Sequence, residues 1–379
     1  MTENQITIAG LYVHTPFCRS KCPYCDFYSI TSSDLIPAYL AALDTEARLY
    51  QDQFPAFDSL YLGGGSPSWL GDTHLAQLMK TLRRCFQFAP DREVTLEANP
   101  DDITADKLAL FRDLGVNRLS LGVQSFDEAE LRLLGRRHTA AQTRRALALI
   151  RAAGFANLGL DLIYGLPGQT TAAWLQSLET ALSFAPEHLS CYQLTLADNT
   201  PMGRMAAAGQ VCLPVEETQR EFFLLTARLL QERGYRHYEV ANFARQEKYR
   251  CRHNVKYWTH VPYLGLGPAA HSFLGGRRWW NFSSVEKYCA TLTAGRPPVA
   301  GAETLTPDQI RLETLYLGFR TQEGVGLATL REQPHGERIL RQLIQAGLVR
   351  VRRDRVVATA PGLVVADRLP LWFADGMNS

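Results

Sequence analysis

Two hydrophobic patterns alternate along the first 200 residues. Short runs rich in Val, Ile, Leu and Tyr, most of them ending in Gly, Pro or a polar residue, have the character of strands. They begin at Ile8 (IAGLYVHTP), Leu60 (LYLGGG), Glu93 (EVTLEANP), Arg118 (RLSLGVQSF), Leu158 (LGLDLIYGLP) and His188 (HLSCYQLTL). Between them lie amphipathic stretches with helical spacing. LIPAYLAALDTEARLY follows Asp34, an expected N-cap. AAQTRRALALIRAAG follows Thr139 and stops at Gly154, an expected C-terminal stop. Repeats of roughly 30 residues predict a parallel sheet with helices outside it. About six such repeats, closed or nearly closed, give a partial barrel smaller than a full TIM barrel.

The pattern changes after Pro201. A helix is expected from Glu217 to Glu232, then an aromatic and His-rich stretch from Tyr235 to Trp280 with many glycines. That stretch is expected to be irregular and packed over the barrel. AGRPPVAGAETLTP, from Ala294, is a second break. Beyond it DQIRLETLYLGF and ERILRQLIQAGLV have helical spacing, RVRRDRVVATAPG suggests a β-hairpin, and a last helix follows. The expected organisation is therefore a barrel over 1–235, a segment packed on it over 236–300, and a winged-helix-like α+β domain over 301–379.

Composition narrows the function classes. Hydrophobic residues make up 46% and charged residues 21%, with a formal net charge of +2. No global field points to nucleic acid or an acidic membrane. The helix ERILRQLIQAGL offers no basic recognition face, so DNA binding is not expected. The opening MTENQITIAG has neither the basic start nor the apolar run of a signal peptide. No stretch reaches the roughly 18 apolar residues of a spanning helix. These features lead us to expect a cytoplasmic protein without an integral membrane segment, a monomer or weak homodimer.

Of the eight cysteines, Cys18, Cys22 and Cys25 crowd into eight residues, in HTPFCRSKCPYCDF (residues 14–27). Cys85, Cys191, Cys212 and Cys289 read as small buried hydrophobes. In a reducing compartment the crowded trio reads as a metal or redox site. The C-x3-C-x2-C spacing brings three thiolates to one cubane and leaves one iron without a protein ligand. A zinc site that borrows His14 as a further ligand is the competing reading.

C-x3-C-x2-C with Tyr24 just before the third cysteine resembles the signature of the radical S-adenosylmethionine (SAM) superfamily. The resemblance implies a partial (β/α)6 barrel. It also implies a [4Fe–4S] cluster on Cys18, Cys22 and Cys25, whose open iron chelates SAM and cleaves it to a 5′-deoxyadenosyl radical. Gly64 and Gly65, with Ser66, are similar to the glycine motif that contacts the SAM amino group, although a tight βα turn would read the same way. Glu97, Gln124 and Asp161 are polar residues in or at the end of apolar strands, where burial without a partner is costly. Each is either a SAM contact or a satisfied core group. Arg136 suits the SAM carboxylate, with Arg137 as its rival. Tyr12 and Tyr24 complete the expected surroundings of SAM.

The resemblance covers nearly the whole chain. The cluster segment, GGGSPS, EANP, LGVQSF, DLIYGLPGQ and the C-terminal appendage together resemble the coproporphyrinogen oxidase-like group. That group includes oxygen-independent coproporphyrinogen III oxidases, which decarboxylate propionates, and HemW-type haem chaperones, which bind haem and pass it to an acceptor protein. The oxidases extend the cluster motif by a further cysteine, where this chain has Phe27, and carry some tens of residues before the first strand, where this chain has about seven. HNVKYW (253–258) matches the H-N-x-x-Y-W motif of the chaperone type. The resemblance thus implies a haem carrier without oxidase activity, with His253 contacting haem. Cys251, His260 and His271 are rival ligands, and a histidine merely hydrogen-bonded in an aromatic core is the competing reading. A purely structural iron–sulfur scaffold is a further alternative.

Overall fold

The computed structural model describes residues 8–374. Six parallel strands run in chain order: β1 (Ala9–Thr15), β2 (Phe57–Gly64), β3 (Phe88–Ala98), β4 (Arg118–Gln124), β5 (Leu158–Tyr164) and β6 (His188–Gln193). Each of the six expected strand runs overlaps one of them. The sheet does not close between β1 and β6; it is extended at both edges instead. Beyond β6 lie β8 (Asn242–Ala244) and then β7 (Arg236–His237), both in antiparallel pairing. Beyond β1 lies β9 (Tyr263–Leu266), parallel to it, followed by β10 (His271–Leu274), β11 (Arg277–Asn281) and β12 (Val299–Thr304). The aromatic stretch expected to be irregular therefore builds sheet at both margins. Its strands are short, and they carry Arg, His, Asn and Trp in place of aliphatic runs, which hid them from a reading based on apolar run length.

Strand alternation sorts the side chains. On β4, Leu119, Leu121 and Val123 are fully buried against the helices, while Arg118, Ser120, Gly122 and Gln124 occupy the opposite, inward row. On β6, Leu189 and Cys191 face the helices and His188, Ser190 and Tyr192 face inward. The aliphatic rows join the helices in one large core. The lumen they enclose is polar, unlike the side-chain-filled interior of a complete barrel.

Helix ends follow local chemistry. Thr139 and Gln142 form a reciprocal capping box on the helix Ala140–Ala152, and Gly154 takes φ +80° just past its end. Asp34, expected as an N-cap, does not cap the helix Ile36–Tyr50; Leu35 holds that position without a side-chain bond, and Pro37 sits in the first turn. Glu46 of this helix is fully buried and accepts from Gly267 N (2.8 Å), Asn281 Nδ2 (2.6 Å) and Tyr288 Oη (2.6 Å), which ties the β9–β11 extension to the barrel. Cys85 and Cys191 are buried as expected, whereas Cys212 is exposed and Cys289 half-buried.

The C-terminal region has its own core, built around Phe319, Leu330, Leu343, Val356 and Phe373. Its order is helix Pro307–Phe319, β13 (Val325–Gly326), helices Leu327–Arg331 and Gly336–Gln345, β14 (Val349–Arg352) and β15 (Arg355–Ala358). β15 lies between β13 and β14, the arrangement of a winged helix. It is fixed to the barrel by a Glu239–Thr321 bridge and by Gln322 N donating to Tyr238 O (2.9 Å). The Arg250–Glu323 pair (2.7 Å) adds a third tie. Among the described residues no helix is long and apolar enough to cross a membrane.

Candidate functional site

The cysteine loop leaves the C-terminal end of β1 and is pinned at its base. Cys18 N donates to Ile30 O (2.9 Å) and Ile30 N to Pro16 O (2.8 Å), closing residues 16–30 on themselves. Gly65 N bonds Thr15 O and Ser66 N bonds Phe17 O, both at 2.8 Å, fixing the loop to the end of β2. A Cβ on Gly65 would lie 2.7 Å from those two carbonyl oxygens, and one on Gly64, at φ +101°, would lie 2.6 Å from the His14 ring. Only glycine fits this approach. The far side of the loop is held by Met202 N donating to Pro23 O (2.9 Å) and Asn199 Nδ2 to Asp26 Oδ1 (2.6 Å).

Cys18, Cys22 and Cys25 are half-exposed and line one small cavity of about 80 Å³ with Tyr24, Gly64, Gly65, Ser66, Asn99 and Arg136. Ser66 Oγ donates to Cys18 Sγ (3.7 Å) and Arg136 Nη1 to Cys22 Sγ (3.4 Å). Arg136 Nη2 is anchored on Asn99 Oδ1 (2.5 Å) and Gly122 O (2.9 Å), while its buried Nε has no partner. Burial pushes the Cys25 thiol up, against the Phe27 backbone bond that lowers it. Three soft sulfur donors suit an iron–sulfur cluster, and the Arg136 guanidinium beside Cys22 would moderate its negative charge. His14 does not join them. Its Nε2 bonds Tyr28 O (2.8 Å), its Nδ1 the Tyr12 hydroxyl (3.0 Å), and burial lowers its pKa to about 4. With both ring nitrogens engaged, His14 is not free to serve as the fourth ligand that the zinc reading requires.

A larger cavity of about 470 Å³ opens beside the cysteines into the lumen. Tyr24, Gly64, Gly65, Ser66, Glu97, Gln124, Arg136 and Asp161 all line it. Glu97 accepts from the Tyr61 hydroxyl (2.7 Å) and from Gly64 N (3.2 Å), so it holds the glycine turn in place. Burial raises its pKa to about 7, with the Tyr61 bond opposing and Asp161 adding to the rise. Asp161 accepts from Ser120 Oγ on both oxygens (3.2 and 3.1 Å), and burial raises its pKa too. Gln124 has φ +65° at a register shift between β4 and β5. A non-glycine residue in that conformation is strained, as functional positions often are. Arg137 is spoken for elsewhere, paired with Asp101 (2.9 Å) and Asp102 (3.5 Å). The sequence left Arg136 and Arg137 as rivals; Arg136 is the one on both cavities.

Two expected residues lie elsewhere. Tyr12, on the inward row of β1, is not part of this cavity wall; its ring packs against His14, Tyr61 and His253. His253 is 1% exposed, at the floor of the barrel, with Nδ1 against Ser59 Oγ (3.3 Å) and Nε2 against the Tyr257 hydroxyl (2.8 Å). Burial lowers its pKa to about 3. Both ring nitrogens are engaged, so His253 offers no lone pair to an iron in this arrangement, and the core-histidine reading describes its surroundings. Cys251 is buried too, its Sγ near Glu93 Oε1 (3.8 Å).

The lumen also contains residues that motif reasoning passed over: Tyr61, Asn99, Arg118, Ser120, His188 and Ser190. Arg118 is 1% exposed, with Nε and Nη1 unpartnered, as is His188 Nδ1. Their signal was the polar residue at every second position of β4 and β6, the mark of a strand with one wet face.

The chain matches the radical SAM superfamily over residues 12–181. It is 35% identical over 366 residues to "Heme chaperone HemW" of Mycobacterium tuberculosis, covering 94% of this chain and 93% of that one. The protein of the same name from Bacillus subtilis is 32% identical over 370 residues, covering 94% and 97%. A mouse protein named "Radical S-adenosyl methionine domain-containing protein 1, mitochondrial" is 35% identical over 379 residues, covering 99% and 80%. Among solved structures, the radical SAM enzyme coproporphyrinogen III oxidase of Escherichia coli superposes with a TM-score of 0.82 at 25% identity, covering 97% of this chain and 90% of that one.

Proposed function

The chain belongs to the HemW family within the radical SAM superfamily, and on that premise we propose that it is a haem chaperone, which binds haem and passes it to an acceptor protein. Cys18, Cys22 and Cys25 hold a [4Fe–4S] cluster, and SAM occupies the adjoining cavity of about 470 Å³. The observation that carries this reading is the shared wall: Tyr24, Cys25, Gly64, Gly65, Ser66, Asn99 and Arg136 border both cavities.

The reduced cluster supplies a low-potential electron for reductive chemistry on SAM. The protein's own contribution is positional. Glu97 fixes the glycine turn, so that the Gly64–Ser66 backbone faces the ligand. Arg136 clamps the cysteine loop to β4 through Gly122 O and meets a carboxylate with its remaining capacity. Gln124 and Asp161 present polar atoms from the neighbouring strand ends. A cytoplasmic setting suits the half-exposed thiols of the loop, which must stay reduced to hold a cluster.

The structural likeness to coproporphyrinogen III oxidase supports a second reading, oxidative decarboxylation of propionates. Phe27, where the oxidase motif carries a further cysteine, counts against it. The test uses the full chain with its cluster reconstituted. Haem is titrated by difference spectroscopy, and coproporphyrinogen III is incubated anaerobically with SAM and reductant while its mass is followed. Stoichiometric haem binding with unchanged porphyrinogen mass is the expected result. Failure to bind haem sinks the carrier, and loss of carboxyl groups at catalytic rates establishes the second reading.

A further inference from the structure

At the open side of the barrel, where β6 gives way to β8, a groove of about 1270 Å³ separates the barrel rim from the C-terminal domain. One wall is the end of β6 and the helix Glu216–Glu232; the other is the helix Ala360–Val364 with the residues after it. Tyr192, Gln193, Thr195 and Asn254 border both this groove and the lumen cavity, so the two spaces adjoin through a neck.

Three features of the groove fit a flat, amphipathic dianion. Its size exceeds the roughly 300–1,000 Å³ of ordinary ligand pockets, whereas the lumen cavity falls within that range. Its surface offers aromatic rings: Phe223, Tyr257, Trp258 and Tyr192, the last 41% exposed where β6 emerges from its buried first four residues. Such rings pack on a macrocycle face. Its charged groups can exchange partners. Arg220 pairs with Glu217 and Arg320 with Asp367, and both acids are mostly solvated. Surface pairs of that kind contribute little, so a propionate can replace the acid on a guanidinium fork. The remaining acids on the wall are Glu216, at the solvent edge, and Glu239, which is buried and bonded to Ala241 N (3.2 Å).

We propose that haem binds in this groove, between the barrel rim and the C-terminal domain. One edge of the macrocycle faces the Tyr192–Asn254 neck, and the propionates lie toward Arg220 and Arg320. The inference rests on the haem-carrier reading above and gives the H-N-x-x-Y-W segment a divided role. His253 secures the helix beneath the lumen, while Asn254, Tyr257 and Trp258 face the groove.

The test is haem titration of the cluster-loaded, full-length protein and two variants, with iron content and SAM affinity measured in parallel. Val364→Trp fills the groove from the C-terminal side, and Arg220→Glu reverses charge at an exposed position whose ion pair with Glu217 is solvated. The expected result is a haem Kd raised about tenfold or more by Val364→Trp and about threefold or more by Arg220→Glu, with iron content and SAM affinity unchanged. A loaded Val364→Trp protein that binds haem as wild type does overturns the siting. If that variant fails to load its cluster, Arg220→Glu decides by the same criterion. Wild-type protein that binds no haem overturns the carrier reading, and the siting with it.

Discussion

The two ends of the barrel lumen are built from the same residue types and put them to opposite uses. At the lower end, around the strand N-termini, polar atoms mostly close on one another. His253 is held by Ser59 and Tyr257, and Glu93 accepts from Arg252 N (2.9 Å) and His253 N (3.4 Å). Lys256 Nζ spans Ile8 O and Asp58, both at 2.8 Å. Nearer the strand C-termini, Glu97, Gln124, Arg136 and Asp161 border open space, and Arg136 keeps an unpartnered nitrogen. A polar side chain in a strand is therefore no sign of a ligand by itself. What separates the two sets is the open space that the upper one borders, because Glu97 and Asp161 have protein partners as well. Arg118 sits at the boundary, deeply buried yet unsatisfied, on the wall of the cavity.

The largest expected break in this contrast is at the cysteine loop. Cys22→Ser should reduce iron from about four per chain to below about one, because two thiolates do not retain a cubane. Iron assay and visible absorbance of the reconstituted protein check it. Wild-type iron content in that variant would remove the cysteines from the site.

Next is Glu97→Gln. It replaces the acceptor of the Gly64 amide and loosens the turn, and it should weaken SAM binding about tenfold or more while the cluster still loads. Equilibrium dialysis with labelled SAM is the measurement. Unchanged affinity would reduce Glu97 to a core group like those below it.

The lower end answers differently. His253→Ala leaves Ser59 and Tyr257 without their partner in a buried place and should cost about 2–4 kcal/mol of stability. Denaturant unfolding reads that loss, and haem titration of the folded fraction should give wild-type affinity. A variant of full stability that has lost haem binding would return His253 to the role of ligand.

How far the sequence could be read follows the same division. The six strands of the partial barrel were legible because each carries an aliphatic row that packs on the outer helices, alternating on β4 and β6 with a row that faces the lumen. The cysteine loop and the strand-end residues were legible because spacing and position in β-α units carry chemistry. The direction of a helix's side chains was not. HNVKYW reads as one haem motif, yet a seven-residue helix turns His253 to the floor and Trp258 to the groove. Arg118 was passed over for a related reason, although the alternation of β4 carries its signal. At the start of an apolar run it reads as a solvated strand end, but it shares the inward row of Ser120, Gly122 and Gln124, and its pairing with Thr95 of β3 continues the sheet past it.

The smallest effect concerns the edge of the barrel. Burial raises Glu46 from 4.5 to about 7, so the folded state holds a proton there that the unfolded chain has released. This contribution to stability is fully present below about pH 4.5 and is lost as pH rises toward about 7. Glu46→Gln should flatten that part of the stability profile. Urea midpoints at several pH values compare the two proteins, and parallel slopes would show that Glu46 titrates normally.

The central claim is that three cysteines leave one iron open to a SAM molecule in the adjoining cavity. The direct measurement is electron paramagnetic resonance of the reduced, reconstituted protein with and without SAM. A [4Fe–4S] signal whose g-values shift on adding SAM, and that keeps the SAM-free form in Glu97→Gln at the same SAM concentration, is the predicted result. A cluster spectrum indifferent to SAM in the wild-type protein would mean that every iron is already ligated, and would contradict the account.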